Sequence, residues 1–350
     1  MELTPAGGKL KAAQNSSAKQ TEKQAEKSAS RALQILDCAR LLAVISIVWL
    51  HTPESTLLEK SVDIGRFAVP FFTFAALFLA FQSSLRHVES SLGSYVSTRF
   101  RRIYLVFLFW SLVYGIVRTI SDFTLRHTLP SLSIRDFLWD GTAHHLWFLP
   151  FVFVASSLSF AVARWTEKLR SSYWPIAAFC AGLGLVFALQ HAPNSFKILG
   201  YTSELSADVL PSVLLAIAFA MIYARAAPEL FCRRIVSVAG VLLWLICLAI
   251  LLTTGRTILL ETLSGFGLFL ASLNRSSTPL TARMAGWGKF AFGIYILHVL
   301  FLEGFQDIAR KIGWPPSPEN DVITFLVTLV ACAISIFVLN RNAQARKLLL

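Results

Sequence analysis

Three side chains on one apolar segment give the first sign of chemistry. The stretch Leu36–Thr52 reads LDCARLLAVISIVWLHT, with Asp37 and Arg40 at one end and His51 at the other. A charged side chain at the centre of a bilayer costs roughly 2.5–3.5 kcal/mol on insertion scales, so ionisable residues in such a segment mark candidate sites. Asp37 and Arg40 stand three apart and share a helix face. Eleven residues, about three helical turns, separate Arg40 from His51, which returns the imidazole to nearly the same face roughly 16 Å along the axis. One helix thus offers a guanidinium near one membrane face and a proton acceptor near the other. The same residues also fit a plainer arrangement: an ion pair at the interface and a histidine that ends a helix.

Other polar residues fall at membrane depth or at its edges. Arg99, Arg101 and Arg102 precede the third predicted helix. Guanidinium groups suit bidentate binding of phosphate, but such a cluster also serves simply to retain a loop on the cytoplasmic side. His144 and His145 open the fourth helix in the string HHLWFLPF. Tyr295 and His298 lie three apart in GKFAFGIYILHVLFLE and share a face. A histidine in the middle of such a run faces the bundle interior, where its nitrogens need partners. Glu261 and Glu303 lie in apolar runs without a partner that the sequence names. Pro70 and Pro211 can kink their helices and free carbonyl groups.

The elements that must position these residues are membrane helices. The chain is 55% hydrophobic, with mean hydropathy +0.61, and apolar runs long enough to span a bilayer recur along it. The expected fold is all-α, a polytopic bundle of ten transmembrane helices near 34–51, 65–82, 103–120, 145–163, 173–190, 207–224, 234–253, 257–273, 290–306 and 321–339. Residues 1–33 are polar and Lys-rich and are expected to form a disordered cytoplasmic tail. Residues 34–340 make the membrane domain, and 341–350 a short C-terminal tail. Lys and Arg concentrate in the N-terminal tail, alternate loops and the C-terminal tail, while most acids sit in the other loops. That bias places both termini in the cytoplasm, Asp37 near the inner face and His51 near the outer face. It also accounts for the formal charge of +12 without nucleic acid as a partner. The five cysteines are isolated, with no metal-ligand spacing. No GxSxG, phosphate loop or HExxH string is present, so hydrolase, ATP-driven pump and metalloprotease readings find no support.

Five strings fall in a recognisable order. They are Asp37-x-x-Arg40 with His51, Val69-Pro70-Phe71-Phe72, the cluster Arg99, Arg101 and Arg102, His145-Leu146-Trp147-Phe148-Leu149, and Gly293-Ile294-Tyr295-Ile296-Leu297-His298. In this the chain resembles the acyltransferase-3 family of integral membrane O-acyltransferases, which modify bacterial cell-envelope glycans. One departure is Ala75-Ala76, where the family commonly has Ser-Gly after the VPxFF segment. The resemblance implies a protein of the bacterial inner membrane with no permanently bound cofactor. Its donor substrate is an acyl-CoA, most often acetyl-CoA, and its acceptor a hydroxyl on a glycan or lipid-linked sugar. Membrane lipids and polysaccharide-synthesis machinery are the implied partners. Arg40, Arg99, Arg101 and Arg102 are then expected to hold the donor, with Asp37 fixing Arg40. His51 is expected to take the proton of the acceptor hydroxyl, with His145 and His298 orienting the acceptor or stabilising the oxyanion. A transporter of a glycan or small solute is the rival class, since many-helix bundles with intramembrane charge are equally typical of transporters.

Overall fold

The computed structural model describes residues 34–166 and 203–342, apart from 88, 127–132, 135, 227 and 275–277, together with isolated positions at 177, 180–182, 184, 346 and 348. The predicted N-terminal tail and most of the predicted fifth helix, 173–190, lie outside the described residues. Within them every regular element is helical. The elements are α1 (Gln34–His51), a 3-10 segment (Glu59–Phe67), α2 (Ala68–Arg86) and α3 (Leu92–Arg99). A π turn (Phe100–Tyr104) leads into α4 (Leu105–Arg126), followed by α5 (Phe148–Thr166) and α6 (Ser203–Arg225). The chain continues through α7 (Arg234–Thr254), α8 (Ile258–Ser272), α9 (Pro279–Gly288), α10 (Ala291–Lys311) and α11 (Pro318–Leu339).

Among the described residues, seven helical segments are long and apolar enough to cross a membrane, and two shorter apolar helices accompany them. Together they cover nine of the ten stretches expected from the sequence. Local signals set several of the boundaries. Ser91, Thr257 and Ser317 cap α3, α8 and α11 by accepting from backbone N–H groups of the first turn. Thr278 and Thr281 close a reciprocal capping box on α9. The third span differs from expectation. Helix runs without a loop from Leu92 to Thr124, so Arg99, Arg101 and Arg102 lie within it and not ahead of it. The Ser91 cap starts the helix early, and long arginine side chains tolerate the position by reaching for the interface. Pro70 sits in the first turn of α2, where a missing N–H costs least, and not in the helix interior.

Aromatic packing fills the centre: Phe67, Phe71, Phe74, Phe107 and Phe269 are fully buried. The α7–α8 hairpin closes backbone to backbone, since a Cβ on Gly240 would lie 2.6 Å from the Gly267 carbonyl oxygen. Ile235, Leu242 and Ile246 of α7, and Ile334 and Phe337 of α11, are exposed. Such apolar outer faces suit lipid, where water would penalise them.

The helices carry their charge unevenly. α1 carries Asp37 in its first turn and ends four residues before Ser55, which binds Asp321 at the start of α11. α11 then runs back, so the described chain starts and ends on one side of the bundle. Arg86 closes α2 on that side, and Arg164 at the end of α5 donates to the His87 carbonyl. The other side holds Glu54, Asp63, Asp321, Asp307 and the cavities described next.

Candidate active site

Four histidines from three separate elements meet at the end of α1. Nδ1 of His51 lies 3.3 Å from Nε2 of His144. The His298 ring stacks on His51 with centroids 5.5 Å apart. His145 meets His298 edge to face at 5.0 Å. His145 and His298 are almost completely buried, at 3% and 0% exposure. Burial disfavours a charged imidazole, and it holds His144 below its ordinary titration range, so that residue is neutral at pH 7.

The surrounding chain fixes each ring. His144 and His145 lie in tight turns ahead of α5, so that helix begins at Phe148 and not at His145 as the apolar string suggested. Gly141 makes this turn possible: its φ is +80°, and a Cβ there would meet Leu146 Cβ at 2.7 Å. Thr142 secures the turn by donating to the Ser111 carbonyl of α4. The Tyr295 hydroxyl donates to the His145 carbonyl. His298 Nδ1 lies 2.7 Å from the Tyr295 carbonyl. An acceptor there requires the Nδ1–H tautomer, which leaves His298 Nε2 without a hydrogen-bond partner.

Tyr114 enters the α10 backbone at the same level. Its hydroxyl donates to the Ile296 carbonyl at 2.6 Å and accepts from the Leu300 N–H at 3.1 Å. Those two groups would otherwise pair with each other, so the side chain is inserted into the helix ladder around His298.

A cavity of about 310 Å³ opens in front of His51. Apolar residues of α1, α2 and α5 make most of its wall, among them Ile47, Val69, Phe72 and Phe148. Its charged wall is Arg66, Arg256 and Glu261. Arg256 Nε binds Glu261 Oε1 at 2.8 Å, while Arg66 Nε binds Asp63 at 2.7 Å and stands 4.0 Å from Glu261. Glu261 is 6% exposed. These guanidinium groups supply the partners that the sequence left unnamed. A buried carboxylate in an apolar helix demands a cation, and Arg256, five residues earlier, was the available signal.

The chemistry of this constellation is proton transfer beside an apolar slot with two guanidinium groups. The sequence model of the acyltransferase-3 family, described as an acyltransferase domain, matches residues 33–340. The chain belongs to the acyltransferase-3 family. No curated protein and no solved structure matches it at a significant level. As a membrane acyltransferase, the protein carries its family strings around one cavity: Val69, Pro70 and Phe72, His145, Trp147 and Phe148, and Tyr295 all line it.

Not every expected site residue joins the histidines. Arg40 binds Asp37 at 2.8 Å, with their side chains 32% and 26% exposed, three turns from His51. Arg101 and Arg102 are exposed, and Arg99 lies over the Tyr95 ring at 5.2 Å. Arg99 stands twelve residues before Ser111, about 18 Å along the axis from the histidine level. The acyltransferase therefore holds two groups of functional candidates at different depths. His298 sits behind His51, packed against its ring and fully buried.

Proposed function

We propose that this acyltransferase moves an acetyl group from cytoplasmic acetyl-CoA to a hydroxyl of a cell-envelope polysaccharide, across a bacterial plasma membrane. The observation that carries this reading is the line of α1, with a paired arginine at one end and a histidine cluster around a cavity at the other. Both ends of a ten-helix bundle would face the cytoplasm, putting Arg40, Arg99, Arg101 and Arg102 where acetyl-CoA is found. Guanidinium groups at that face bind its phosphates. The span from Arg40 to His51, roughly 16 Å, is comparable to an extended pantetheine arm. The thioester then arrives in the mainly apolar cavity.

His51 acts as general base. Donation of its Nδ1–H to His144 Nε2 leaves His51 Nε2 free for the cavity. Nε2 takes the proton of the acceptor hydroxyl as the oxygen attacks the thioester carbonyl carbon. The carbonyl electron pair moves onto oxygen, where Arg66 and Arg256 offer N–H donors. When the carbonyl reforms, the carbon–sulfur bond breaks and the thiolate recovers the proton from the His51 imidazolium. The products are the O-acetyl ester and CoA. Asp37 fixes the rotamer of Arg40, and His298 and His145 hold the His51 ring.

The reading is tested by the acyl content of the envelope glycans, weighed before and after mild alkali. Three strains suffice: a deletion, its complement with the wild-type gene, and its complement with Arg40→Ala. An alkali-labile acetyl increment should vanish on deletion and return fully only with the wild type. Identical acyl content in deletion and wild type would overturn the reading.

A further inference from the structure

A second cavity, of about 520 Å³, lies beside the first, between α4 and α10. The two cavities have one lining residue in common, His144. Their walls are unlike. The first is mostly apolar, whereas the second is lined by three carboxylates (Asp122, Glu303 and Asp307), two guanidinium groups (Arg118 and Arg310) and the Gln306 amide. Arg118 pairs with Asp122, and Arg310 with Asp307 and Glu54. Glu303 forms no hydrogen bond or ion pair among the described residues and remains open to a ligand.

Gly304 adds a separate observation. It lines the second cavity from within α10, where glycine weakens a helix relative to alanine. A Cβ at this position would meet nothing within 4 Å. Packing therefore does not require the glycine, and a larger residue there would change the cavity wall.

We infer that this second cavity is the acceptor cleft, and that it takes a neutral, polyhydroxylated molecule of the sugar type. Carboxylates accept from neighbouring hydroxyls, while guanidinium and amide groups donate to hydroxyl and ring oxygens. Three carboxylates against two guanidinium groups disfavour an anionic occupant such as the phosphates of CoA. The shared wall at His144 puts the acceptor hydroxyl next to the His51–His144 pair, and the donor thioester enters from the first cavity. The inference rests on the acyl-transfer reading above and adds where the acceptor binds and what chemistry it presents.

Gly304→Leu narrows the cleft at a position where a Cβ meets nothing within 4 Å, and Ile308→Ala, exposed on the same helix and outside both cavities, serves as its control. Membrane vesicles carrying their own glycan would be supplied with radiolabelled acetyl-CoA and the alkali-labile label counted. In parallel, thermal stabilisation of each purified full-length chain by acetyl-CoA would be measured. Gly304→Leu should lower transfer by roughly tenfold or more while keeping acetyl-CoA stabilisation, with Ile308→Ala close to wild type. Wild-type transfer in Gly304→Leu, or loss of acetyl-CoA stabilisation along with transfer, would overturn the assignment. A wild type that neither transfers label nor is stabilised by acetyl-CoA would instead overturn the acyl-transfer reading, and the cleft assignment with it.

Discussion

The two ends of α1 carry the same kinds of residue in opposite surroundings. At one end Asp37 and Arg40 pair with each other and keep about a third of their side-chain surface open. At the other, His51 is enclosed by His144 and His298, with the cavity in front. A part-open end with a guanidinium suits an anionic ligand that must come and go. A cluster of imidazoles around a cavity, two of them buried, suits proton transfer. On the proposed function, one helix would separate donor binding from chemistry by about three turns.

Substitutions at the two ends should therefore fail in different ways. His51→Ala removes the proposed base and should lower the transfer rate by about 10²–10⁴-fold, leaving acetyl-CoA stabilisation intact. Arg40→Ala should instead raise the acetyl-CoA KM by roughly tenfold or more with little change in kcat, as expected for a lost charge-assisted contact. If both variants lose kcat alike, the division between the ends fails.

Gly141→Ala probes how the histidines are held. It forces a side chain onto a backbone at φ +80° and against Leu146. A cost of about 1–3 kcal/mol should appear as a lower Tm together with reduced transfer. Tyr114→Phe is the milder perturbation. It removes the hydroxyl between Leu300 and Ile296, and a loss of about 1 kcal/mol with a few-fold drop in kcat is expected. Acetyl-CoA KM should stay unchanged in both.

Acidity sharpens the same contrast at smaller amplitude. Burial lowers the pKa of His144, so its partnership with His51 in neutral form persists as pH falls through 6.5, the ordinary histidine value. The acid limb of kcat should accordingly lie below 6.5 and shift in His144→Gln, whereas acetyl-CoA KM should be flat through that range. A kcat limb centred at or above 6.5 would contradict a lowered His144 pKa.

Much of this site was legible in the sequence because hydrocarbon makes polar residues conspicuous. His51, His145, Tyr295 and His298 stood out within apolar runs, and they do meet. Helix periodicity likewise set the Arg40–His51 register. What could not be read depended on elements far apart in the chain. Arg66 lies in a short 3-10 segment whose composition resembles any polar loop, and only folding brings it near Glu261. Nothing in the sequence around Asp321 marks it, yet its carboxylate accepts from the backbone of Glu54 and Ser55 and so anchors the chain that follows His51. The arginine cluster was misplaced by a turn or two, since a capped helix can begin in interfacial sequence that is not apolar.

The most direct test is transfer of label from radiolabelled acetyl-CoA to glycan in vesicles bearing either wild type or His51→Ala at equal abundance. A general-base role for His51 predicts alkali-labile label with the wild type and almost none with His51→Ala, while acetyl-CoA stabilises both purified chains equally. Wild-type labelling by His51→Ala would contradict it.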